Sequence, residues 1–193
     1  MTFKELTING EMDESEAFAF SCRRCGACCT GDVALTPHEL YRIAGHMSMS
    51  HRRFADRYCN VMADTQLHVP FMHINANHKC PYLMDTGCSL QHIKPYVCSL
   101  YPLGRGFGLP GPGEKSKLFG KPFYFVQPVS CLGLKASQKV IVRDFLSAQR
   151  YTDNETRHLA RLMETLAAIP IRKLTDDRML LITQFLYYDY DQD

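Results

Sequence analysis

The chain has 193 residues, 46% of them hydrophobic, and a formal net charge of +2. This length and composition predict a single domain spanning residues 1–193, with one buried core and no membrane span. The positive charge is small, and if cysteines of the chain act as thiolate ligands of a metal the total becomes slightly negative, so the charge does not favour a nucleic-acid partner. The first residues are acidic and lack an apolar run, which predicts no secretory signal and a cytoplasmic protein.

Two short helices are predicted in the first third of the chain. The sequence Thr36–Glu39 has the pattern of an N-cap, a proline in the first turn and a capping-box glutamate, which predicts a helix from Pro37 to His46. A second helix is predicted from His51 to Asn60, with Ser50 as its cap.

The middle of the chain has weaker signals. An extended segment is predicted near Leu67 to Met72, and helical turns near Ile93 to Leu100. Glycine and proline dominate residues Pro102 to Lys115, which predicts an exposed loop. The sequence KPFYFVQ, residues 121–127, then predicts a short strand.

The chain after Cys131 lacks cysteine and has helical patterns. Helices are predicted over Ser137 to Arg150, Asp153 to Ala168 and Asp176 to Tyr188. In the second of these, Thr152 and Glu155 form a capping box, and Leu159, Leu162, Met163 and Leu166 form an apolar stripe typical of a core face. The predicted fold is therefore mainly α, with a small irregular cysteine-rich region (residues 20–133) packed on a C-terminal helical scaffold (residues 134–193).

Nine cysteines are many for a chain of this size, and they indicate either a disulfide framework or metal ligation. The odd count suits complete pairing poorly. Four cysteines also fall within eight residues, which is too crowded to connect distant segments by disulfides. Metal ligation is therefore the favoured interpretation.

The sequence SCRRCGACC contains the most informative spacing. Cys22 and Cys25 stand at the Cys-x2-Cys distance, and Cys28 extends it to the triplet by which bacterial-type ferredoxins hold a cluster. Cys29 follows directly. Because adjacent side chains diverge from the backbone, we predict that Cys28 and Cys29 serve different centres.

Eight cysteines are predicted to bind metal, which suffices for two tetrathiolate sites holding iron–sulfur clusters, of the 4Fe-4S type, or zinc. The eight are Cys22, Cys25, Cys28, Cys29, Cys80, Cys88, Cys98 and Cys131. Cys59 lies on a predicted helix away from these spacings and is interpreted as a buried free thiol. His78 and His92 are alternative ligands in place of a thiolate, because imidazole suits both zinc and iron.

Several residues beside the cysteines have two interpretations. A tetrathiolate centre carries negative charge, so nearby cations either compensate it or are ordinary surface residues. These cations are Arg23, Arg24, Lys79, Lys94 and Arg105. The glycines Gly26, Gly31 and Gly87 are predicted to adopt positive φ where the chain wraps the metal.

On these residues the chain resembles the YkgJ family of cysteine-cluster proteins, described as zinc- or iron-chelating domains. The resemblance covers about Phe20 to Gly133. It rests on Cys-x2-Cys-x2-Cys-Cys, then Cys80-Pro81, Gly87-Cys88 and the sequence KPYVCSLYP of residues 94–102. Cys131 resembles a late cysteine-x-glycine segment of the family. The family usually has arginine where this chain has Lys94, which donates hydrogen bonds as a point charge rather than as a fork.

The resemblance implies chelation of zinc or iron and leaves three hypotheses for function. The first is an iron–sulfur protein with a redox or accessory role. The second is a structural zinc module whose C-terminal helices bind a protein partner. The third is an enzyme similar to the lysine N-methylases that act on flagellin, although the chain is shorter than those enzymes and has no Rossmann fingerprint.

Overall fold

The computed structural model describes residues 11–64, 69–74, 80–85, 87–107, 122–149, 157–162 and 175–188. Contacts between main-chain positions divide the chain into two units. Unit 1 comprises Met1–Ala27 and Ser99–Thr152, and unit 2 comprises Cys28–Cys98 and Asp153–Asp193. The chain passes from one unit to the other inside the cysteine motif.

The centre of unit 2 is an antiparallel sheet of three strands. They are β2 (Val33–Leu35), β3 (Cys59–Asp64) and β4 (Val69–Ile74), in the order β2-β4-β3. Ile74 of β4 pairs with Val33 on one side and with Cys59 on the other. Leu35, Met72 and Ile74 are buried, so this sheet forms one wall of the core.

Two helices cover the core of unit 2. They are α1 (Pro37–His46) and α2 (His51–Tyr58). The capping box predicted at the start of α1 is confirmed, because the Thr36 hydroxyl accepts from the Glu39 N–H and the Glu39 carboxylate accepts from the Thr36 N–H. Ser50 caps α2 as predicted. Leu40, Ile43 and Phe54 are among the residues that these helices bury.

The C-terminal part of unit 2 is helical over residues 157–162 (α5), over α6 (Asp176–Thr183) and over a π-helical segment (Gln184–Tyr188). Tyr187 is the anchor of the last segment. Its hydroxyl donates to the Leu35 carbonyl at 2.8 Å and accepts from the Met72 N–H at 3.4 Å. One side chain thereby joins the C-terminal helix to two strands of the sheet.

Unit 2 also contains a small hairpin and the start of a short helix. The hairpin pairs β5 (Leu83–Met84) with β6 (Gly87–Cys88), and Leu83 lies opposite Cys88. The helix is α3 (Tyr96–Leu100), along which the chain passes into unit 1.

Unit 1 has two separate strand pairs. β1 (Ala17–Ala19) pairs with β9 (Lys139–Ile141), and β7 (Leu103–Phe107) pairs with β8 (Pro122–Val126), each antiparallel. Between β8 and β9 lies a 3-10 helix (Leu132–Lys135), and α4 (Val142–Ala148) follows β9.

An aromatic cluster forms the core of unit 1 around α4. The Phe145 ring meets the rings of Phe18 and Phe20 edge-on, at centroid distances of 5.3 Å each. Phe18 and Phe20 stack on each other at 5.8 Å. These rings fix the strand that leads directly into Cys22.

The mainly α prediction is wrong. The described residues contain nine strands in four small sheets, and several of them replace predicted helix or loop. The predicted helix over Ser137 to Arg150 has strand β9 at its beginning, because the β-branched residues of Lys139–Ile141 pair with β1. The predicted helix over His51 to Asn60 ends at Tyr58, and Cys59 begins β3 instead.

Strand β7 occupies the start of the predicted loop over Pro102 to Lys115, where the prediction is wrong, and the glycines of β7 explain the error. The loop residues from 108 onward lie outside the described part of the chain. A Cβ atom on Gly104 would lie 2.3 Å from the Phe125 ring, and one on Gly106 would lie 2.2 Å from the Phe123 ring. Aromatic rings of β8 therefore occupy the space over two strand glycines, an arrangement that only the pairing reveals. The strand predicted at 121–127 is confirmed as β8.

The extended segment near Leu67 to Met72 appears as β4, and the helical turns near Ile93 to Leu100 appear as α3. The start of the helix predicted at Asp153, its capping box, and Met163 and Leu166 of its apolar stripe lie outside the described residues, whereas Leu159 and Leu162 lie in the helical residues 157–162. Within the part of the chain that the structure covers, no helix combines the length and apolar character needed to cross a bilayer.

Candidate metal centre

All nine cysteines carry free thiols in the structure. The two units divide them. Cys22, Cys25 and Cys131 belong to unit 1, whereas Cys28, Cys29, Cys59, Cys80, Cys88 and Cys98 belong to unit 2. Free thiols suit metal ligation, whereas the disulfide interpretation requires paired sulfurs.

A main-chain hydrogen bond joins the two cysteine motifs of unit 2. The Cys80 N–H donates to the Cys29 carbonyl at 2.8 Å, although the residues are far apart in sequence. The sulfurs of Cys28 and Cys29 are 3.9 Å apart. Two sulfurs bound at about 2.3 Å to one tetrahedral zinc ion are separated by nearly this distance. This spacing is compatible with both sulfurs binding one ion. The prediction that Cys28 and Cys29 serve different centres is therefore not confirmed and stays a prediction.

Cys88 reaches the same region through the β5–β6 hairpin. The Leu83 N–H donates to the Cys80 carbonyl at 3.1 Å, and Leu83 pairs with Cys88 across the hairpin. Gly87, with φ of +117°, precedes Cys88 in β6. Cys80 and Cys88 are therefore held on one compact turn, and both side chains pack partly buried against the core of unit 2.

Cys98 stands on α3 and is also packed against this core. Two side chains of α1 hold the segment that leads to it. The Glu39 carboxylate accepts a hydrogen bond from the Tyr96 N–H, and the Arg42 guanidinium donates to the Lys94 carbonyl at 3.1 Å. In the sequence, Glu39 is recognisable only as a capping residue, and no motif marks Arg42.

The thiols of unit 2 interact electrostatically. Burial, followed by the neighbouring Cys28 thiol, raises the pKa of Cys29 to about 12. Burial also raises the pKa of Cys98, and four further thiols add to that effect in the order Cys80, Cys29, Cys88 and Cys28. Without a nearby cation, the Cys29 and Cys98 thiols stay protonated at physiological pH, chiefly because burial disfavours the thiolate and further because neighbouring thiolates would repel it. A bound metal ion would reverse that preference.

Unit 1 brings its cysteines together through the backbone. The Ser21 N–H donates to the Gly133 carbonyl at 3.0 Å. Cys22 directly follows Ser21, and Cys131 lies two residues before Gly133, so both cysteines flank this paired position. A Cβ atom on Gly133 would lie 2.8 Å from the Ser21 oxygen and from the Phe20 ring. Glycine is therefore required at 133 for this close approach.

The Cys22–Cys25 loop has an unusual backbone. Arg24 has a φ of +51° and Gly26 a φ of +72°, both in the left-handed region. Left-handed residues inside such loops direct successive N–H groups toward one side, as in anion-binding nests at iron–sulfur sites. Cys22 and Cys25 themselves are exposed, and Cys131 is partly buried.

The remaining predicted residues have mixed outcomes. Positive φ is confirmed at Gly26 and Gly87 and is wrong for Gly31. His92, Arg23 and Arg24 are exposed, whereas Lys94 and Arg105 are partly buried. His78 and Lys79 lie outside the described residues. Cys59 is partly buried, and burial raises its pKa to about 12, so its thiol remains protonated.

The donor set fits zinc or an iron–sulfur cluster, since both take thiolates. Among the described residues, however, no three histidine, cysteine, aspartate or glutamate side chains stand close enough to hold an ion as they are. Ligation is coupled to folding in small metal domains, and we expect the thiols to rotate inward on binding. The backbone contacts described above already bring their main chains together.

Residues 21–131 match the family model CxxCxxCC, described as "Putative zinc- or iron-chelating domain". This range contains all nine cysteines and more than half of the chain. Searches of curated proteins and of solved structures found no match.

Proposed function

The chain belongs to the CxxCxxCC family of zinc- or iron-chelating domains, and from that premise we propose that it holds metal at two cysteine centres, one in each unit. The hydrogen bond from Cys80 to Cys29 carries this proposal, because it brings two distant cysteine motifs together. The division of the cysteines between the units supports two centres rather than one.

The centre of unit 2 uses four thiolates, those of Cys29, Cys80, Cys88 and Cys98. Their mutual electrostatic interaction supports the assignment, as does the position of three of them against the hydrophobic core. Four thiolates complete a tetrahedral zinc site or the ligation of one cluster. Cys28 is the fifth thiol near this set, and its substitution tests which centre it serves.

The centre of unit 1 uses Cys22, Cys25 and Cys131. The Ser21–Gly133 hydrogen bond supports this grouping because it aligns the two cysteine-bearing segments. Cys22 and Cys25 are exposed, so solvent and small molecules reach this centre more easily than the centre of unit 2.

The proposed cofactor is an iron–sulfur cluster of the 4Fe-4S type, used for electron transfer or as an accessory to a protein partner in the cytoplasm. All seven assigned ligands are sulfurs, which suits such clusters. The left-handed residues Arg24 and Gly26 support it further, because N–H groups directed at sulfur stabilise the negative charge of a cluster.

Structural zinc is the second candidate. Cys80, Cys88 and Cys98 pack directly against the core of unit 2, as ligands do where a metal contributes to folding stability. This candidate predicts a colourless protein that retains zinc in air. The methylase hypothesis gains no support from the described residues and stays a prediction.

Anaerobic purification followed by metal analysis and an absorption spectrum tests the proposal. An iron–sulfur protein is brown, absorbs broadly near roughly 400 nm and contains iron with acid-labile sulfide. Zinc without iron selects the structural candidate. Protein with neither metal, purified without chelator, contradicts both.

A further inference from the structure

The Lys94–Tyr96 segment is held at both ends by one helix. The Arg42 guanidinium donates to the Lys94 carbonyl at 3.1 Å, and the Glu39 carboxylate accepts from the Tyr96 N–H. Pro95 stands between them and has no N–H of its own. Glu39 and Arg42 are three residues apart on α1, so both side chains lie on one helix face.

Glu39 is unusual for a surface-helix carboxylate because it is 1% exposed. Its second oxygen accepts from the Thr36 N–H at 2.7 Å, so each oxygen binds one main-chain N–H. Capping of α1 needs only the Thr36 contact. The Tyr96 contact joins residues 57 positions apart and has no role in capping.

Arg42 complements this arrangement. Its guanidinium carbon lies 5.9 Å from the centre of the buried Tyr96 ring, in addition to its hydrogen bond with Lys94. The hydrogen bond goes to the main-chain carbonyl, so it is independent of the side chain at position 94. The family that this chain resembles usually has arginine at position 94. The lysine found here therefore leaves the hydrogen bond from Arg42 intact.

Cys98 follows Tyr96 by two residues on α3, a helix of only five residues. A helix this short is not stable by itself, so its position depends on its contacts. We propose that Glu39 and Arg42 are positioning residues for Cys98, which fix the start of α3 so that the Cys98 thiol meets Cys29, Cys80 and Cys88. This inference rests on the proposed metal centre of unit 2.

The test compares Glu39→Ala and Glu39→Gln with a matched control, Thr36→Val. The control removes the hydroxyl that caps α1 but leaves the Glu39 carboxylate in place. Glu39→Gln keeps one acceptor oxygen and is expected to rescue part of the effect. Glu39→Ala also loses the acceptor for the Thr36 N–H, so Thr36→Val shows the effect of a weakened cap, and the excess effect in Glu39→Ala reports the two main-chain contacts of the carboxylate, including that to Tyr96.

The first measurement is the alkylation rate of Cys98 in reduced, metal-free protein, followed by mass spectrometry of its peptide. Because an unpaired buried N–H favours local opening, we expect a rate roughly tenfold higher in Glu39→Ala than in Thr36→Val. Equal rates in these two variants overturn the inference, whether or not the native protein holds metal.

The second measurement is the release of metal from loaded protein to a chelator. Loss of a residue that orients a metal ligand typically weakens binding about tenfold or more. We expect faster release and an altered absorption spectrum in Glu39→Ala, with Thr36→Val close to native. Identical release and spectra in the two variants overturn the inference, whereas a native protein that binds no metal overturns only the proposed function.

Discussion

The two units hold their cysteines in different ways. In unit 2, Cys80, Cys88 and Cys98 lie on or beside a hairpin and a short helix and are packed against a hydrophobic core. In unit 1, Cys22 and Cys25 are exposed on a loop with left-handed residues, and a backbone hydrogen bond from Ser21 to Gly133 joins the start of this loop to the segment of Cys131. Tertiary packing therefore defines one site, and local chain geometry defines the other.

This difference predicts unequal metal retention. A partly buried centre exchanges ligands with solvent slowly, whereas an exposed one is open to chelators and oxidants. We expect the metal of unit 2 to be the more stable and the metal of unit 1 to be the more reactive.

The largest expected effect is that of Cys98→Ser. Loss of a ligand from the packed centre removes metal whose binding energy contributes to folding, so the free energy of unfolding should fall by roughly 4 kcal/mol or more. Chemical denaturation of the loaded proteins measures it. Cys22→Ser is the matched variant in the exposed centre and should lower stability much less. Equal losses in the two variants would contradict the comparison.

Core truncation should come next. Phe54 is completely buried in unit 2, and Phe54→Ala should cost about 3–5 kcal/mol of stability. Because Cys80, Cys88 and Cys98 pack on this core, the metal of unit 2 should also be released faster to a chelator. Phe145→Ala, which truncates the buried aromatic cluster of unit 1, is the control and should leave that release rate unchanged.

Gly133→Ala tests unit 1. The added methyl would meet the Ser21 oxygen and the Phe20 ring at 2.8 Å, so the pairing beside Cys22 must shift, at a cost of about 1–3 kcal/mol. Melting temperature and the metal content of the exposed centre should both decrease. Gly31→Ala, where the methyl meets nothing within 4 Å, should change neither measurement. Similar behaviour of the two alanine variants would argue against the close approach.

The smallest effect concerns pH. Burial raises the pKa of Glu39, so the folded protein binds this proton more tightly than the unfolded chain does. Protonated Glu39 contributes fully to the free energy of unfolding below the pKa that it has in the unfolded chain, about 4.3. This contribution is lost as the pH rises through the higher pKa of the folded state. Urea unfolding of metal-free protein should show native stability falling relative to Glu39→Gln above about pH 4. A native advantage that grows with pH would refute this sign.

The sequence was informative where signals are local. The capping box at Thr36 and Glu39 predicted where α1 begins, and the Cys-x2-Cys spacing predicted the metal-binding character of the family. Metal binding could be predicted from this spacing alone because cysteine thiolates bind metal cations, and knowledge of the tertiary structure was not needed.

Signals that depend on pairing were missed. The glycines of β7 indicate a loop until the Phe123 and Phe125 rings of β8 are seen to cover them. Lys139–Ile141 continue a helical pattern in sequence, but their pairing with β1 makes them a strand. Glu39 fitted a local motif completely, so nothing in the sequence indicated its second contact with Tyr96.

The metal content of two multiple variants tests the central claim most directly. One replaces Cys22, Cys25 and Cys131 with serine, and the other replaces Cys29, Cys80, Cys88 and Cys98. Purified without oxygen and compared with the native chain and Cys28→Ser, each is predicted to lose the metal of its own unit and to keep the metal of the other. Loss of all metal from both variants would mean one shared centre and would contradict the account.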